Sequence, residues 1–215
     1  MNRPGGDDKE RAAIDAFTET KYICVYLGGN MGRDEQIVEQ TRTLGRLMAQ
    51  EGIGLVYGGA RVGLMGVLAD TVLDYGGAVI GVIPRHLQYQ EVAHEGLTHL
   101  HVVDTMHERK HRMQQTAHAC IAMPGGFGTL EEMFEALTWA QLEVLDKPCV
   151  FLNVDGYYDD LFRFLDHAAA KGLLRAKNRA LALQAPTAEA ALQKVRAAWA
   201  AEEAALSEMM RAYLS

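Results

Sequence analysis

The amino-acid sequence predicts an α/β protein in which one parallel sheet is covered by helices on both faces. Short apolar segments alternate with amphipathic ones, and glycine clusters lie where the two kinds of segment meet. Several of the short segments are apolar on both faces, which is typical of strands buried in a parallel sheet. With 215 residues and 49% hydrophobic content, the chain is long enough for one well-buried core. We therefore expect a single doubly wound domain over residues 21–215, preceded by an N-terminal arm or short helix over residues 1–20.

Three strands are predicted in the first half of the chain, at residues 22–27, 54–57 and 78–83. The first two run into glycine pairs and the third ends at a proline, and both residue types interrupt regular structure. Helices are expected after the first and second strands, because apolar residues recur there at three- and four-residue intervals. Their apolar stripes are Ile37, Leu44, Leu47 and Met48 in the first helix, which starts near Asp34, and Leu64, Val67, Leu68 and Val72 in the second.

The second half of the chain repeats this alternation. Pro186-Thr187 starts an alanine-rich helix, because proline is favoured in the first turn of a helix. Ligands of such sheets bind beyond the carboxyl ends of the strands, where the glycine-rich turns of this chain are expected. Strands are predicted at residues 100–103, 120–123, 149–152 and 180–183, and helices near 106–117, 129–142 and 157–171.

Composition excludes several classes of function. The cysteines Cys24, Cys120 and Cys149 are odd in number and each lies beside Val or Ile, which predicts reduced, buried thiols in a cytoplasmic protein. A net charge of −7 opposes binding to a nucleic-acid backbone, and the apolar runs are too short to span a membrane. A small anionic ligand remains compatible with this charge, because one helix N-terminus and a few cations suffice to bind a phosphate.

The segment Met123-Pro-Gly-Gly-Phe-Gly-Thr-Leu-Glu-Glu132 carries the strongest functional signal. Gly125, Gly126 and Gly128 allow a tight turn that brings backbone N–H groups close to a ligand. The helix that follows adds unpaired N–H donors and a partial positive charge at its N-terminus. The segment therefore predicts a phosphate-binding loop.

Glu132, at the end of this segment, has two interpretations. It can be a functional carboxylate, or it can close a capping box with Thr129 by binding back to the N–H of that residue. Glu131 points about 100° away around the helix, so we expect it to be solvated.

Arg109 is the second candidate functional residue. In a helix that starts at Met106, it shares the inward stripe with Met106, Met113 and Ala117, and a buried charge there needs a partner. The alternative is an arginine that extends to the surface. The same helix contains the zinc-protease pattern H-E-x-x-H at residues 107–111, but two adjacent cations oppose a metal there, and we expect no metal.

The segment at residues 57–66 approximates the dinucleotide-binding pattern G-x-G-x-x-G, but Ala60 occupies the middle position. It also follows the second strand, and the next strand ends at Ile83-Pro84 without an acidic residue to bind a ribose. We therefore expect no nicotinamide or flavin cofactor. The glycines of this turn either let the helix pack closely on the sheet or shape the floor of a pocket.

Taken together, these segments resemble the LOG (Lonely Guy) family of cytokinin riboside 5′-monophosphate phosphoribohydrolases. The family pattern P-G-G-x-G-T-x-x-E is matched in full by residues 124–132, and G-G-G-x-x-G-L-M-G is matched by residues 58–66 except at Ala60. The patterns M-H-x-R-K, T-W-A-Q-L and N-V-D-G-Y-Y correspond to residues 106–110, 138–142 and 153–158.

The resemblance implies a Rossmann-like homodimer or larger homo-oligomer that hydrolyses the N-glycosidic bond of an adenine-type nucleoside 5′-monophosphate, without a cofactor. Arg109 and Glu132 correspond to the catalytic pair. The substrate contacts would be Glu91, Lys110, Gly125, Gly126, Phe127, Gly128, Thr129, Leu130, Glu131 and Thr138. The residues expected to shape the pocket are Gly28, Gly29, Asn30, Gly58, Gly59, Gly63 and Met65.

Gly29-Asn30 and Ala60 depart from the family pattern, so the sequence leaves open whether the substrate is N6-prenylated or plain AMP. It leaves open as well whether Glu132 stabilises a cation, activates water or attacks directly. Three other functions are compatible with parts of the sequence. The first is a non-catalytic nucleotide sensor on the same fold. The others are a pyridoxal-phosphate decarboxylase with Lys110 as its Schiff-base lysine, and a DNA-handling protein, which the net charge opposes.

Overall fold

The computed structural model describes residues 20–88, 93–145 and 147–214. Seven strands in this part of the chain form one parallel sheet in the order β4-β3-β2-β1-β5-β6-β7. The strands are β1 (Tyr22–Tyr26), β2 (Gly54–Tyr57), β3 (Val79–Pro84), β4 (His99–Val103), β5 (Ala119–Ala122), β6 (Cys149–Leu152) and β7 (Ala182–Ala185).

Seven α-helices among the described residues cover the sheet on both faces, so the predicted fold class is confirmed. Helices α1, α2 and α7 contribute to the apolar core on one face, and α3, α4 and α5 to the core on the other. The helices are α1 (Glu35–Gln50), α2 (Gly63–Asp74), α3 (Met106–Thr116), α4 (Phe127–Gln141), α5 (Asp159–Ala170), α6 (Ala176–Arg179) and α7 (Ala188–Leu214), with a 3-10 turn at Val154–Gly156.

Several predicted boundaries differ from the structure by one or two residues, and two of these differences have a clear local cause. The last strand begins at Ala182 instead of Ala180, because residues 176–181 form the short helix α6 and its closing turn. Helix α4 begins at Phe127, two residues before its predicted start, because Gly126 is its N-cap residue. The predicted arm lies outside the described residues except for Thr20.

The sheet changes its winding direction at β1, which pairs with β2 on one side and with β5 on the other. The connections from these strands leave in opposite directions, and this opens a crevice at their carboxyl ends. The crevice contains the turns after β1 and β5, where the sequence predicted a site.

Cys24, Cys120 and Cys149 lie side by side on β1, β5 and β6, in matching register. All three are free and buried, as the sequence predicted. Among the described residues, no helix combines the length and apolar character that a membrane span requires.

Candidate active site

A cavity of about 210 Å³ occupies the crevice at the carboxyl ends of β1 and β5. The turn after β1 forms one wall and the glycine-rich turn after β5 forms the other. The lining residues are Gly28, Asn30, Met31, Gly32, Ile37, Leu64, Pro124, Gly125, Gly126 and Tyr157.

The glycine-rich turn leads directly into helix α4. A Cβ atom at Gly125 would lie 2.2 Å from Oγ1 of the buried Thr129, so only glycine fits there. At Gly126 and Gly128, by contrast, a Cβ atom would meet nothing within 4 Å, and the backbone is open to a ligand. Because the first N–H groups of a helix have no acceptor inside it, this turn offers several donors to an anion.

The capping-box interpretation of Glu132 is wrong, since Thr129 lies inside the first turn of α4 and is not its N-cap residue. Glu132 is half-buried and lies close enough to the end of β1 to act on its side chains. Burial raises the pKa of Tyr26, the last residue of β1, and the charge of Glu132 adds to this increase. The charge of Glu132 therefore acts on the carboxyl end of β1, one of the strands that border the crevice.

Arg109 is buried on the inner face of α3, with 6% of its surface exposed, as its position on the apolar stripe predicted. Its Nε atom donates to the carbonyl oxygen of Val82 at 3.1 Å, and Nη2 donates to that of Gly58 at 2.9 Å. A Cβ atom at Gly58 would lie 2.1 Å from Nη2, so this glycine is required for the guanidinium to reach the end of β2. The alternative of a surface-extended arginine is thereby excluded.

Lys110 connects the two helices that carry Arg109 and Glu132. Its ammonium group is buried and forms ion pairs with Glu131 and, at 3.1 Å, with Glu135 on α4. Burial lowers the pKa of Lys110, but the hydrogen bonds to the two carboxylates outweigh this effect and leave the pKa raised. Glu131 is thus not merely solvated, contrary to expectation, although 55% of its side chain is exposed.

The turns after β1 and β2 pack directly against each other. A Cβ atom at Gly63, where φ is +56°, would lie 2.2 Å from the carbonyl oxygen of Gly29. Met65 lies beneath both turns, with its methyl carbon near Gly29 and its sulfur near Gly58. Of the predicted pocket-shaping residues, Gly28 and Asn30 line the cavity, whereas Gly29, Gly58, Gly63 and Met65 pack where the two turns meet.

Other predicted residues lie elsewhere. Thr138 is exposed on α4, about 9 Å along the helix axis from Glu132, and its hydroxyl donates to the carbonyl oxygen of Phe134 at 2.7 Å. Phe127, at the mouth of the crevice, is 94% exposed. Glu91 lies outside the described residues. His107 and His111 of the zinc-like pattern are both exposed, and no group of three potential metal ligands occurs among the residues that the structure describes.

Two tyrosines that sequence reasoning did not select hold the glycine-rich turn. The hydroxyl of Tyr158 donates to the carbonyl oxygen of Met123 at 2.5 Å, and that of Tyr157 donates to the carbonyl oxygen of Gly125 at 2.9 Å. Both tyrosines belong to the family pattern N-V-D-G-Y-Y at residues 153–158, which by itself indicates no role for either of them.

His94 and Asp70 were missed as well. His94 is buried and its Nε2 atom lies 2.9 Å from Oδ1 of Asp70 on α2, while its backbone N–H donates to the carbonyl oxygen of Gly59. This pair connects the segment after β3 to the turn after β2, where the carbonyl oxygen of Gly58 accepts from Arg109. No short pattern in the sequence marks it.

Comparison with known proteins shows close relatives over most of the chain. A family model described as "possible lysine decarboxylase" matches residues 65–195. The probable cytokinin riboside 5′-monophosphate phosphoribohydrolase LOGL1 of Oryza sativa subsp. japonica is 44% identical over 192 residues, which are 88% of this chain and 86% of the relative. The cytokinin riboside 5′-monophosphate phosphoribohydrolase of Rhodococcoides fascians is 45% identical over 177 residues, 82% of this chain and 89% of the relative.

Among solved structures, the molybdenum cofactor carrier protein of Chlamydomonas reinhardtii has the same fold, with a TM-score of 0.64 and 20% identity over 85% of this chain and 99% of that one. At this level of identity, the likeness concerns the architecture alone. The extent and identity of the sequence matches, together with the complete P-G-G-x-G-T-x-x-E segment, establish that the chain belongs to the LOG family of phosphoribohydrolases.

Proposed function

We propose that this protein hydrolyses the N-glycosidic bond of adenine-type nucleoside 5′-monophosphates, either AMP or N6-modified AMP. The products are the free base, adenine or a cytokinin, and ribose 5-phosphate. The observation that carries the proposal is the open glycine-rich turn at the N-terminus of α4, with Glu132 further along the same helix and its charge acting on Tyr26 at the end of β1. The names of the relatives support the same reaction class.

In this proposal the 5′-phosphate binds the backbone N–H groups at the start of α4, because a helix N-terminus stabilises an anion. The ribose then lies in the crevice between the turns after β1 and β5. Phosphate binding fixes the position of C1′ relative to Glu132, and such positioning lowers the barrier of the chemical step.

The reaction places a water oxygen on C1′ while the electron pair of the C1′–N bond leaves with the base, which takes up a proton. Positive charge develops on the ribose. The carboxylate of Glu132 has three alternative roles: it stabilises this charge, it takes a proton from the attacking water, or it attacks C1′ itself. Arg109 acts as a fixed positive charge and positions the substrate, because a guanidinium group does not act as a proton donor in proteins. Its two carbonyl contacts hold the guanidinium in place before substrate binds.

We further propose that the protein works as a homodimer or larger homo-oligomer in the cytoplasm. Thr138 belongs to the proposed substrate contacts, yet it faces a separate groove of about 210 Å³ at the far end of α4. Exposed apolar side chains flank this helix at both ends, at Phe127, Leu142 and Val144. A second copy that packs on α4 would cover these apolar side chains and bring Thr138 close to the crevice of that second copy. The free cysteines are typical of a reducing compartment.

The ion pairing of Lys110 disfavours lysine decarboxylation, which is the activity that the matching family model describes. A Schiff-base lysine needs a neutral, accessible amine, whereas this one is paired with two carboxylates and has a raised pKa. The remaining alternative is a sensor that binds nucleotide without cleaving it.

The first prediction tests the reaction. Purified protein is incubated with AMP, with an N6-prenyl AMP and with the matching nucleosides, with and without a chelator, and free base is measured by chromatography. We expect base release from the nucleotides, much less from the nucleosides, and no effect of chelation. Glu132→Gln should lower turnover by roughly a hundredfold or more, because it removes the charge that faces the developing cation.

Glu208→Gln on α7 is the matched control, since Glu208 is exposed and lies beyond Glu203, which pairs with Lys21 at the opposite, amino end of β1. Glu131→Gln is unsuitable for this purpose because it would disturb the ion pair with Lys110. Tight binding of AMP without base release would favour the sensor, and a fully active Glu132→Gln variant would remove this residue from the mechanism.

A further inference from the structure

We propose that Tyr157 is a positioning residue for the phosphate-binding turn, and that its hydroxyl sets the affinity for the 5′-phosphate by fixing one peptide plane. This inference rests on the proposed function. Tyr157 follows β6, far from the glycine-rich turn in sequence, and lines the cavity with half of its surface exposed.

The peptide between Gly125 and Gly126 is the part of the turn most free to rotate. Neither residue has a Cβ atom, so both orientations of this peptide are accessible at little steric cost. In a trans peptide the N–H points opposite to the C=O. The hydrogen bond of 2.9 Å from Tyr157 to the carbonyl oxygen of Gly125 therefore also fixes the direction of the Gly126 N–H, at the start of the row of donors that α4 presents.

The neighbouring tyrosine has a different task, although it makes a similar bond. Tyr158 is buried, and it holds the carbonyl oxygen of Met123. The residue after Met123 is Pro124, which has no N–H, so this bond directs no donor toward a ligand. Tyr158 thus anchors the turn to the core, whereas Tyr157 directs the Gly126 N–H through its bond to the carbonyl group of Gly125.

The turn after β6 is shaped to present Tyr157 at this place. Asp155 and Gly156 both adopt left-handed backbone conformations, with φ of 46° and 72°. A left-handed non-glycine residue costs energy and persists only where its surroundings enforce it. Here the side chain of Asn153 accepts a hydrogen bond of 2.6 Å from the backbone N–H of Tyr158, and the ring of Tyr157 packs edge-on against that of Tyr158 at 4.9 Å.

The test is Tyr157→Phe, which removes the hydroxyl and keeps the ring. Binding of ribose 5-phosphate and of inorganic phosphate is measured by calorimetry, and kcat and KM are measured for AMP and adenosine. We expect ribose 5-phosphate and phosphate to bind about fivefold to tenfold more weakly, which is the effect of one hydrogen bond. KM for AMP should rise by a similar factor, with kcat changed less than about twofold, the adenosine kinetics unchanged, and thermal stability near that of the unmodified protein.

Tyr75→Phe is the matched control, because Tyr75 is exposed to a similar degree at the end of α2, away from the cavity. Equal binding of ribose 5-phosphate by Tyr157→Phe and the unmodified protein would overturn the inference. An equal loss of activity toward AMP and adenosine would overturn it too, because the role would not concern the phosphate. If the unmodified protein bound neither probe, the proposed function itself would fail and this inference with it.

Discussion

Gly58, the residue after β2, determines where the guanidinium of Arg109 can lie. The guanidinium occupies the space that a side chain at this position would need, and it donates to the carbonyl oxygen of the same residue. The glycine is therefore required for close approach to the end of the strand, and not for a turn of the backbone.

We predict that Gly58→Ala lowers the rate of base release by roughly a hundredfold, because the added methyl group displaces the guanidinium that we propose stabilises the transition state. Steady-state kinetics of Gly58→Ala, Arg109→Ala and the double variant test this. The double variant should be no slower than Arg109→Ala alone, since both changes remove the same interaction. Additive losses would show that Gly58 acts independently of Arg109, and full activity of Gly58→Ala would show that activity does not require the guanidinium at this place.

At the scale of elements, α3 and α4 act as a pair. Arg109 lies on one and Glu132 on the other, and the ammonium group of Lys110 bridges them through Glu131 and Glu135. The spacing of the two catalytic candidates thus depends on an ionic contact between helices as well as on the packing of each helix on the sheet.

We predict that Lys110→Met lowers the free energy of unfolding by about 1–2 kcal/mol, less than for a fully buried pair because Glu131 is half exposed. The loss arises mainly at Glu135, whose side chain is only 23% exposed and would keep a charge without its cation. Urea unfolding followed by circular dichroism measures it. Lys171→Met, at an exposed lysine after α5, serves as control, and equal stability of both variants would contradict the bridging role.

The helix starts show why local patterns predicted only part of the site. Thr105-x-x-Glu108 and Thr129-x-x-Glu132 share the same spacing, but only the first forms a capping box. In the second, Pro124-Gly-Gly126 lets the helix begin earlier, so Thr129 is buried within the first turn. Which threonine caps its helix depends on how the preceding loop packs, and four-residue spacing does not contain that information.

For the whole molecule, the apolar segments predicted the parallel sheet because buried strands must be apolar on both faces. The stripe of α3 likewise predicted that Arg109 is buried. The partners of Arg109 were not predictable, since they are backbone carbonyl groups of β3 and of the residue after β2, contacts that exist only once the sheet has formed. The same holds for the His94–Asp70 pair, whose members are 24 residues apart.

The stability of the molecule should depend on pH through His118, which joins β1 to α7. Its Nδ1 atom accepts from the backbone N–H of Tyr22, and its carbonyl oxygen accepts from Nε1 of Trp199. Burial, followed by the nearby charge of Lys147, lowers the pKa of His118 below its usual 6.5. The unfolded chain therefore binds this proton more readily, and the free energy of unfolding falls as pH decreases below about 6.5.

We predict that His118→Asn, which keeps a side-chain acceptor near Tyr22 but does not titrate, reduces this dependence. The measurement is the urea-unfolding free energy between pH 7.5 and 5.5. The sign follows from the lowered pKa, since below about pH 6.5 the unfolded chain binds the proton before the folded protein does, and stability present at neutral pH is lost. Identical slopes for the two proteins would assign the pH dependence to other groups.

The three buried cysteines on β1, β5 and β6 can be used to measure how often the folded molecule opens. A thiol-alkylating reagent reaches these sulfur atoms only when this face of the sheet opens, because all three are buried in the core beneath α3, α4 and α5. The rate of alkylation under native conditions therefore follows the population of open molecules. No introduced label is needed, and the face that is monitored is the one covered by the helices that carry Arg109 and Glu132.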